Sequence, residues 1–179
     1  MPSAKDQINY RLIPATELYL DQLVEIGKET FYDTFAESNT NEDMALYLEK
    51  HFTKDQIRLE LYDANNSFIL LMDDQKLAGY AKVREGCNHE GVNSDDTIEI
   101  ERLYIVREHQ GKGGGAILMR GCLDLAKEKG FKWVCLGVWE HNPRAIAFYK
   151  KWGFEAFGEH QFVLGTDPQT DLLMKKKLL

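Results

Sequence analysis

The chain has 179 residues, of which 44% are hydrophobic and 28% charged. That is an ordinary mix for one folded domain and a cramped length for two. The net charge of −7 argues against duplex nucleic acid as the main partner, and no apolar run approaches the roughly 18–20 residues of a membrane span. Ile8 to Leu12 reads as a first strand. Thr16 is an N-cap candidate for a helix with an apolar stripe at Leu20, Leu23, Val24, Gly27 and Phe31. A second helix is predicted over Glu42 to Lys50. Thr53 with Gln56 three residues on forms a capping-box signature for a third, ending near Asp63. Ser67 to Met72 and Lys76 to Val83 read as a hairpin about Asp73-Asp74-Gln75. After a polar loop over 84–96, Thr97 to Val106 is a long strand, followed by a glycine-rich turn at 111–115. The next helix runs to about Lys129, with Leu118, Cys122 and Leu125 at helical spacing. Trp133 to Val138 is a strand. Asn142-Pro143 then starts a helix that Gly153 stops. Strands near Glu155–Leu164 and Thr170–Lys177 close the chain about Gly165-Thr166-Asp167-Pro168.

Hairpins beside crossover units predict an α/β (α+β) domain over 1–179. Its mixed, mostly antiparallel sheet of about seven strands is flanked by helices on both faces. Residues 1–6 lead into no apolar stretch, so no secretory leader is expected and a cytoplasmic location is. Cys87, Cys122 and Cys135 are scattered and show no C-x-x-C, which argues against a disulfide framework or a zinc site. The histidines at 51, 89, 109, 141 and 160 have no metal-ligand spacing, so no metal is expected. Charge is uneven: residues 1–96 sum to −10 and residues 97–179 to +3. Either the halves are differently solvated, or the C-terminal half meets an anion while the N-terminal half receives a cation.

The segment Gln110-Gly111-Lys112-Gly113-Gly114-Gly115-Ala116 carries the strongest chemistry. An apolar strand feeds a glycine-rich turn that opens a helix. Glycines let backbone N–H groups converge, and the helix N-terminus adds partial positive charge, so the pair suits phosphate. A tight turn with no ligand is the plainer reading. Gly111-x-Gly113-x-x-Ala116 also matches a dinucleotide fingerprint. It begins too late in the chain for the parallel strands of a doubly wound sheet. No G-x-x-x-x-G-K-[ST] is present.

The same stretch resembles the acetyl-CoA site of the GNAT family of N-acetyltransferases, whose motif Q/R-x-x-G-x-G/A follows an apolar strand. A second family element is similar at Leu136-Gly137-Val138, Asn142 and Ala145 to Phe154, and the element order matches over nearly the whole chain. Within the family the chain looks most like PaiA-type spermidine/spermine N-acetyltransferases. The similar segments are Glu29 to Phe35, Glu99 to Ile105, Gly137 to Glu140 and Gln169 to Leu172. The resemblance implies direct transfer of acetyl from acetyl-CoA to a small-molecule amine, in this branch a polyamine, without a covalent enzyme intermediate. Other family members take antibiotics, protein N-termini or lysines, and a CoA-binding regulatory module without turnover is the competing class. A homodimer stays open; direct nucleic-acid binding is not expected.

By that resemblance, backbone groups of Leu103, Tyr104, Ile105 and Val106 pair with the pantetheine arm. The turn from Gln110 through Gly111, Lys112, Gly113, Gly114 and Gly115 to Ala116 holds the pyrophosphate. Asn142 contacts the cosubstrate or is a plain N-cap. Tyr149 protonates the leaving thiolate or is a packed helix aromatic. A lysine-like amine with a pKa of about 10.4 costs roughly 4–5 kcal/mol to deprotonate at neutral pH; a carboxylate, directly or through water, could take that proton. Glu99 and Glu101 share one strand face, and Glu101 is the candidate base. Glu29, Asp33, Glu37 and Glu99 are candidates for holding the acceptor's cationic groups, or else are solvated charges.

Overall fold

The computed structural model describes residues 8–178, so the leader reading of residues 1–6 lies outside them. β1 spans Tyr10–Pro14, two residues later than its sequence reading. α1 (Leu20–Phe35) buries the expected stripe plus Ile26. Thr16 does not cap it. A 3-10 turn at Glu17–Tyr19 intervenes, and the Thr16 side chain accepts no bond there. α2 (Asn41–His51) is capped by Thr40, whose hydroxyl oxygen accepts from the Asp43 N–H. α3 (Lys54–Tyr62) is capped as its signature predicts, the Gln56 N–H donating to Thr53 Oγ1 at 3.1 Å. The Gln56 side chain, however, turns forward to Glu60 Oε1.

β2 (Asn66–Asp73) and β3 (Lys76–Glu85) form the expected hairpin, with Asp74 at φ 52° in the turn. β4 (Thr97–Ile105), α4 (Gly114–Glu128), β5 (Trp133–Trp139) and α5 (Pro143–Lys151) follow within a residue or two of prediction. β6 (Glu155–Leu164) and β7 (Asp167–Lys177) close the chain. The last turn is tighter than predicted. Asp167 and Pro168 are common turn formers, yet both pair with β6, which leaves Gly165 and Thr166 at the tip.

The sheet order is β1-β2-β3-β4-β5-β7-β6. Every pairing is antiparallel except β4 with β5, which pair in parallel only over Thr97–Glu99 and Trp133–Cys135. Beyond that point the two strands have no ladder between them, and a gap opens in mid-sheet. α4 and α5 cover one face, where Leu118, Met119 and Cys122 pack on Leu71, Ile98, Val134 and Leu136. α1, α2 and α3 cover the other, where Leu23, Phe31, Met44 and Ile57 pack with Leu70 and Tyr80.

A bulge sets the side chains of β4. Val83 opposes Ile100 and Lys82 opposes Arg102, so Glu101 is the extra residue. Ile98 and Ile100 before it, and Leu103 and Ile105 after it, all join the α4 side. One disulfide corrects the cysteine reading: Cys87 is paired with Cys135, while Cys122 is free and buried. Forty-eight residues separate the pair, and only the fold of the 86–96 segment back onto β5 brings them together.

Candidate active site

The glycine turn is built for an open, anion-receiving surface. Gly111 and Gly113 have φ of 74° and 87°, a left-handed region costly for residues with a Cβ. A Cβ at either would meet nothing within 4 Å, so conformation, not crowding, requires glycine there. Gly114 is different. It is buried, and a Cβ would lie 2.7 Å from Leu71 Cδ2, so it serves close packing. Among the described residues, the N–H groups of Gly111 to Gly115 donate to no protein acceptor. Gly113 caps α4 without a side chain, leaving the positive end of the helix open. Unpaired N–H groups around open space fit a diphosphate. Lys112 sits exposed beside them.

A continuous cavity of about 1430 Å³ runs from this turn through the sheet gap to the α1–α3 side. Its wall includes Leu103, Tyr104, Ile105, Gln110, Gly111, Gly113, Gly115, Ala116, Asn142 and Tyr149, but not Val106, Lys112 or Gly114. Gln110 stiffens the turn: its Nε2 donates to the Ile105 carbonyl at 3.2 Å, and Arg144 donates to its Oε1 at 3.2 Å. Asn142 is a working N-cap, its Oδ1 accepting from the Ala145 N–H at 3.1 Å. Tyr149 packs edge-on to Phe154. Its hydroxyl has no protein partner among the described residues. Burial pushes its phenol well above the ordinary range, with the Cys122 thiol close by. It therefore stays protonated across the working pH range and can donate.

The α1–α3 side of the cavity holds a ladder of ion pairs. Arg102 donates twice to Glu60, at 2.7 and 3.1 Å. Lys82, 5% exposed, contacts both Glu60 and Glu101. Arg84 lies 2.9 Å from Glu101 and donates to Glu99 at 2.8 Å. His89 Nε2 is 3.0 Å from the other Glu99 oxygen. Burial alone would raise the Glu60 carboxyl, but Arg102 and then Lys82 outweigh it and hold it below the usual range. Glu99 and Glu101 thus share the predicted face, yet both oxygens of each are already engaged. Of the helical candidates, Asp33 reaches the cavity wall and pairs with Arg107 at 3.5 Å. Glu29 and Glu37 are exposed and lie outside the wall.

Some of the site is not legible in the residue spacing. All five histidines line the cavity, although their spacing shows no pattern. Cys87, His89 and Glu99 each bring a potential ligand atom within 4.8 Å of the others. The thiol is taken up by Cys135 and the carboxylate by Arg84. Asp171 on β7 also lines the cavity. Its carboxyl is raised by burial to about 6, against a lowering influence of His89.

A mixed sheet split between its two parallel strands, with an anion cradle on one face and a polar wall on the other, defines an acyl-transfer fold. The model of the acetyltransferase (GNAT) family matches residues 20–154. An N-acetyltransferase of Lactobacillus delbrueckii subsp. lactis, itself uncharacterised, is 39% identical over 174 residues, covering 94% of this chain and 98% of its own. Another, from Mycobacterium tuberculosis, is 28% identical over 159 residues, covering 89% and 97%. The crystal structure of PaiA N-acetyltransferase from Thermoplasma acidophilum in complex with coenzyme A superposes with a TM-score of 0.78 at 20% identity, covering 96% and 100%. The chain belongs to the GNAT acetyltransferase family and is an acetyl-CoA-dependent N-acetyltransferase of that type. Among the described residues, no helix is long and apolar enough to cross a membrane.

Proposed function

We propose that the enzyme acetylates a primary amine of a small polycation of the spermidine class. The observation that carries this reading is the single cavity that joins the open N–H cradle, the unpartnered Tyr149 hydroxyl and an acid-bearing wall through the sheet gap. When bound, acetyl-CoA supplies a thioester carbonyl open to attack by nitrogen. The open N–H groups of Gly111 to Gly115 would hold its pyrophosphate, with Lys112 adding a nearby positive charge; the Ala116 N–H is already donated to the Gly113 carbonyl at 3.1 Å. Leu103 to Ile105 offer the backbone edge that β5 leaves unpaired, which would accept the pantetheine arm as an added strand; Val106 lies past the end of β4, with its N–H donated to the Ala78 carbonyl at 3.0 Å. Asn142 fixes the start of α5 and so the position of Tyr149, whose proton goes to the departing sulfur.

The acceptor class rests on three supports. Residues 1–96 carry a net charge of −10. Asp33 and Asp63 join the wall from α1 and the end of α3. The likeness to PaiA-type segments points the same way. The test is a screen of spermidine, spermine, aminoglycosides and lysine-bearing peptides, read as release of free CoA thiol from acetyl-CoA. Turnover greatest with the polyamines is expected. Inert polyamines beside an active peptide or antibiotic would overturn the acceptor class.

A further inference from the structure

We propose that Asp171 is the general base of the transfer, receiving the acceptor's ammonium proton on the face of the sheet opposite Tyr149; this rests on the acetyltransferase reading above. Glu60 and Glu101 each sit between two cations, and Glu99 lies between Arg84 and His89. Asp33 faces Arg107. Asp171, among the described residues, has neither an ion pair nor a hydrogen-bond partner, although it is half-buried in the cavity wall.

Its position is fixed by sheet register. Asp171 opposes Trp139 of β5 and His160 of β6. Trp139 packs at a tilt against Phe35 of α1, with ring centroids 4.8 Å apart, which places this row on the α1–α3 side. The carboxylate leans over Gly137, where a Cβ would lie 3.1 Å from Asp171 Oδ2. Gly137 belongs to the stretch of β5 that has lost its β4 partner, so the carboxylate stands at the edge of the gap. Tyr149 belongs to the α4–α5 side of the same gap. A base and an acid on opposite faces of one opening suit a transfer that passes through the sheet.

The proton count closes. The ammonium gives one N–H proton to Asp171, which later releases it to solvent. The freed lone pair forms the N–C bond, and the C–S bond breaks with its electrons on sulfur. Tyr149 gives that sulfur a proton, and the second N–H proton of the amine replaces it. One proton is released per turnover, with amide and free CoA thiol as products. The titratable groups facing Asp171 are His89 from the segment after β3, His160 from β6 and Tyr47 from α2. Burial raises the Asp171 carboxyl to about 6, near the pH at which a base serves best.

The test compares wild type, Asp171→Asn, Asp171→Glu and Glu101→Gln, with spermidine or whichever primary amine the wild type turns over. Asp171→Asn should lower kcat by about 10²-fold or more, leave the amine KM within a few-fold and abolish the acidic limb of the pH profile near pH 6. Asp171→Glu should recover part of kcat, and Glu101→Gln should keep the limb. Folding supplies a second readout. A carboxyl raised in the folded state loses stability as pH rises through its folded pKa. Asp171→Asn should therefore melt at or above wild type at pH near 8. An active wild type with an unchanged Asp171→Asn limb, or a variant that alters KM alone, overturns the proposal and leaves the acetyltransferase reading standing. A wild type inert toward every primary amine overturns both.

Discussion

In the proposed mechanism Tyr149 and Gly113 serve the two ends of acetyl-CoA, and their variants should fail in separable ways. Tyr149→Phe removes one hydroxyl from a ring that is otherwise packed. It should cut kcat by about 10²-fold or more, the range for a positioned acid, with little change in acetyl-CoA affinity. Because burial holds the phenol above its ordinary value, the wild-type rate should show no loss from Tyr149 ionisation up to about pH 10. Rate measurements on both proteins from about pH 6 to about pH 10 check this, and near-normal turnover in the variant would reduce Tyr149 to a packing residue. Gly113→Glu places a carboxylate and a Cβ at a left-handed position. It should abolish the stabilisation by acetyl-CoA. That stabilisation is about 2.7 kcal/mol at a hundredfold excess over Kd, or roughly 5–11 °C in Tm. Thermal melts with and without acetyl-CoA read it; a shift retained in the variant would move the phosphate site elsewhere.

The elements show which signals are local and which are not. Thr53 and Asn142 were readable as caps because donor and acceptor lie three residues apart. The glycine turn was readable because its need for positive φ is written in the residues themselves. Thr16 misled because a cap signal says nothing about a 3-10 turn placed between it and the helix. Asp171 was legible only as part of a family-like segment; its freedom from partners depends on where every neighbouring cation has gone. Asp43 is a similar case. Its Oδ1 accepts from the Thr166 N–H at 2.6 Å and from Thr166 Oγ1 at 2.9 Å, tying α2 to the β6–β7 turn 123 residues away. The Thr166 N–H, then Thr40, hold the Asp43 carboxyl below its usual range. A depressed carboxyl stabilises the fold above its unfolded value and loses that contribution as pH falls through the folded value. Asp43→Asn should thus lower Tm at neutral pH, and the difference from wild type should shrink below about pH 4. Melting curves across that range check the sign. A constant difference would mean that the lost contacts, not the charge, set the effect.

At the scale of the whole molecule, charge is divided as the chemistry divides. The acidic half supplies α1, α2 and α3, which cover the proposed acceptor side, while the +3 half supplies the glycine turn, α5 and the strand that carries Asp171. Exposed carboxylates steer a polycation at long range, and salt screens them over about 10 Å at 0.1 M. Raising salt from about 0.05 to about 0.5 M should therefore raise KM for spermidine and leave kcat nearly unchanged; a KM indifferent to salt would contradict electrostatic recruitment. The fold was readable at this scale because hairpins and crossovers follow chain order. The gap between β4 and β5 was not, since it arises from two strands ceasing to pair. The most direct measurement is continuous release of free CoA thiol by the wild-type enzyme with acetyl-CoA and spermidine, with the acetylated product identified by mass. The account predicts sustained turnover and one acetyl group on a primary amine nitrogen, both lost in Gly113→Glu and strongly slowed in Tyr149→Phe. Acetyl-CoA binding without thiol release from any amine would contradict it.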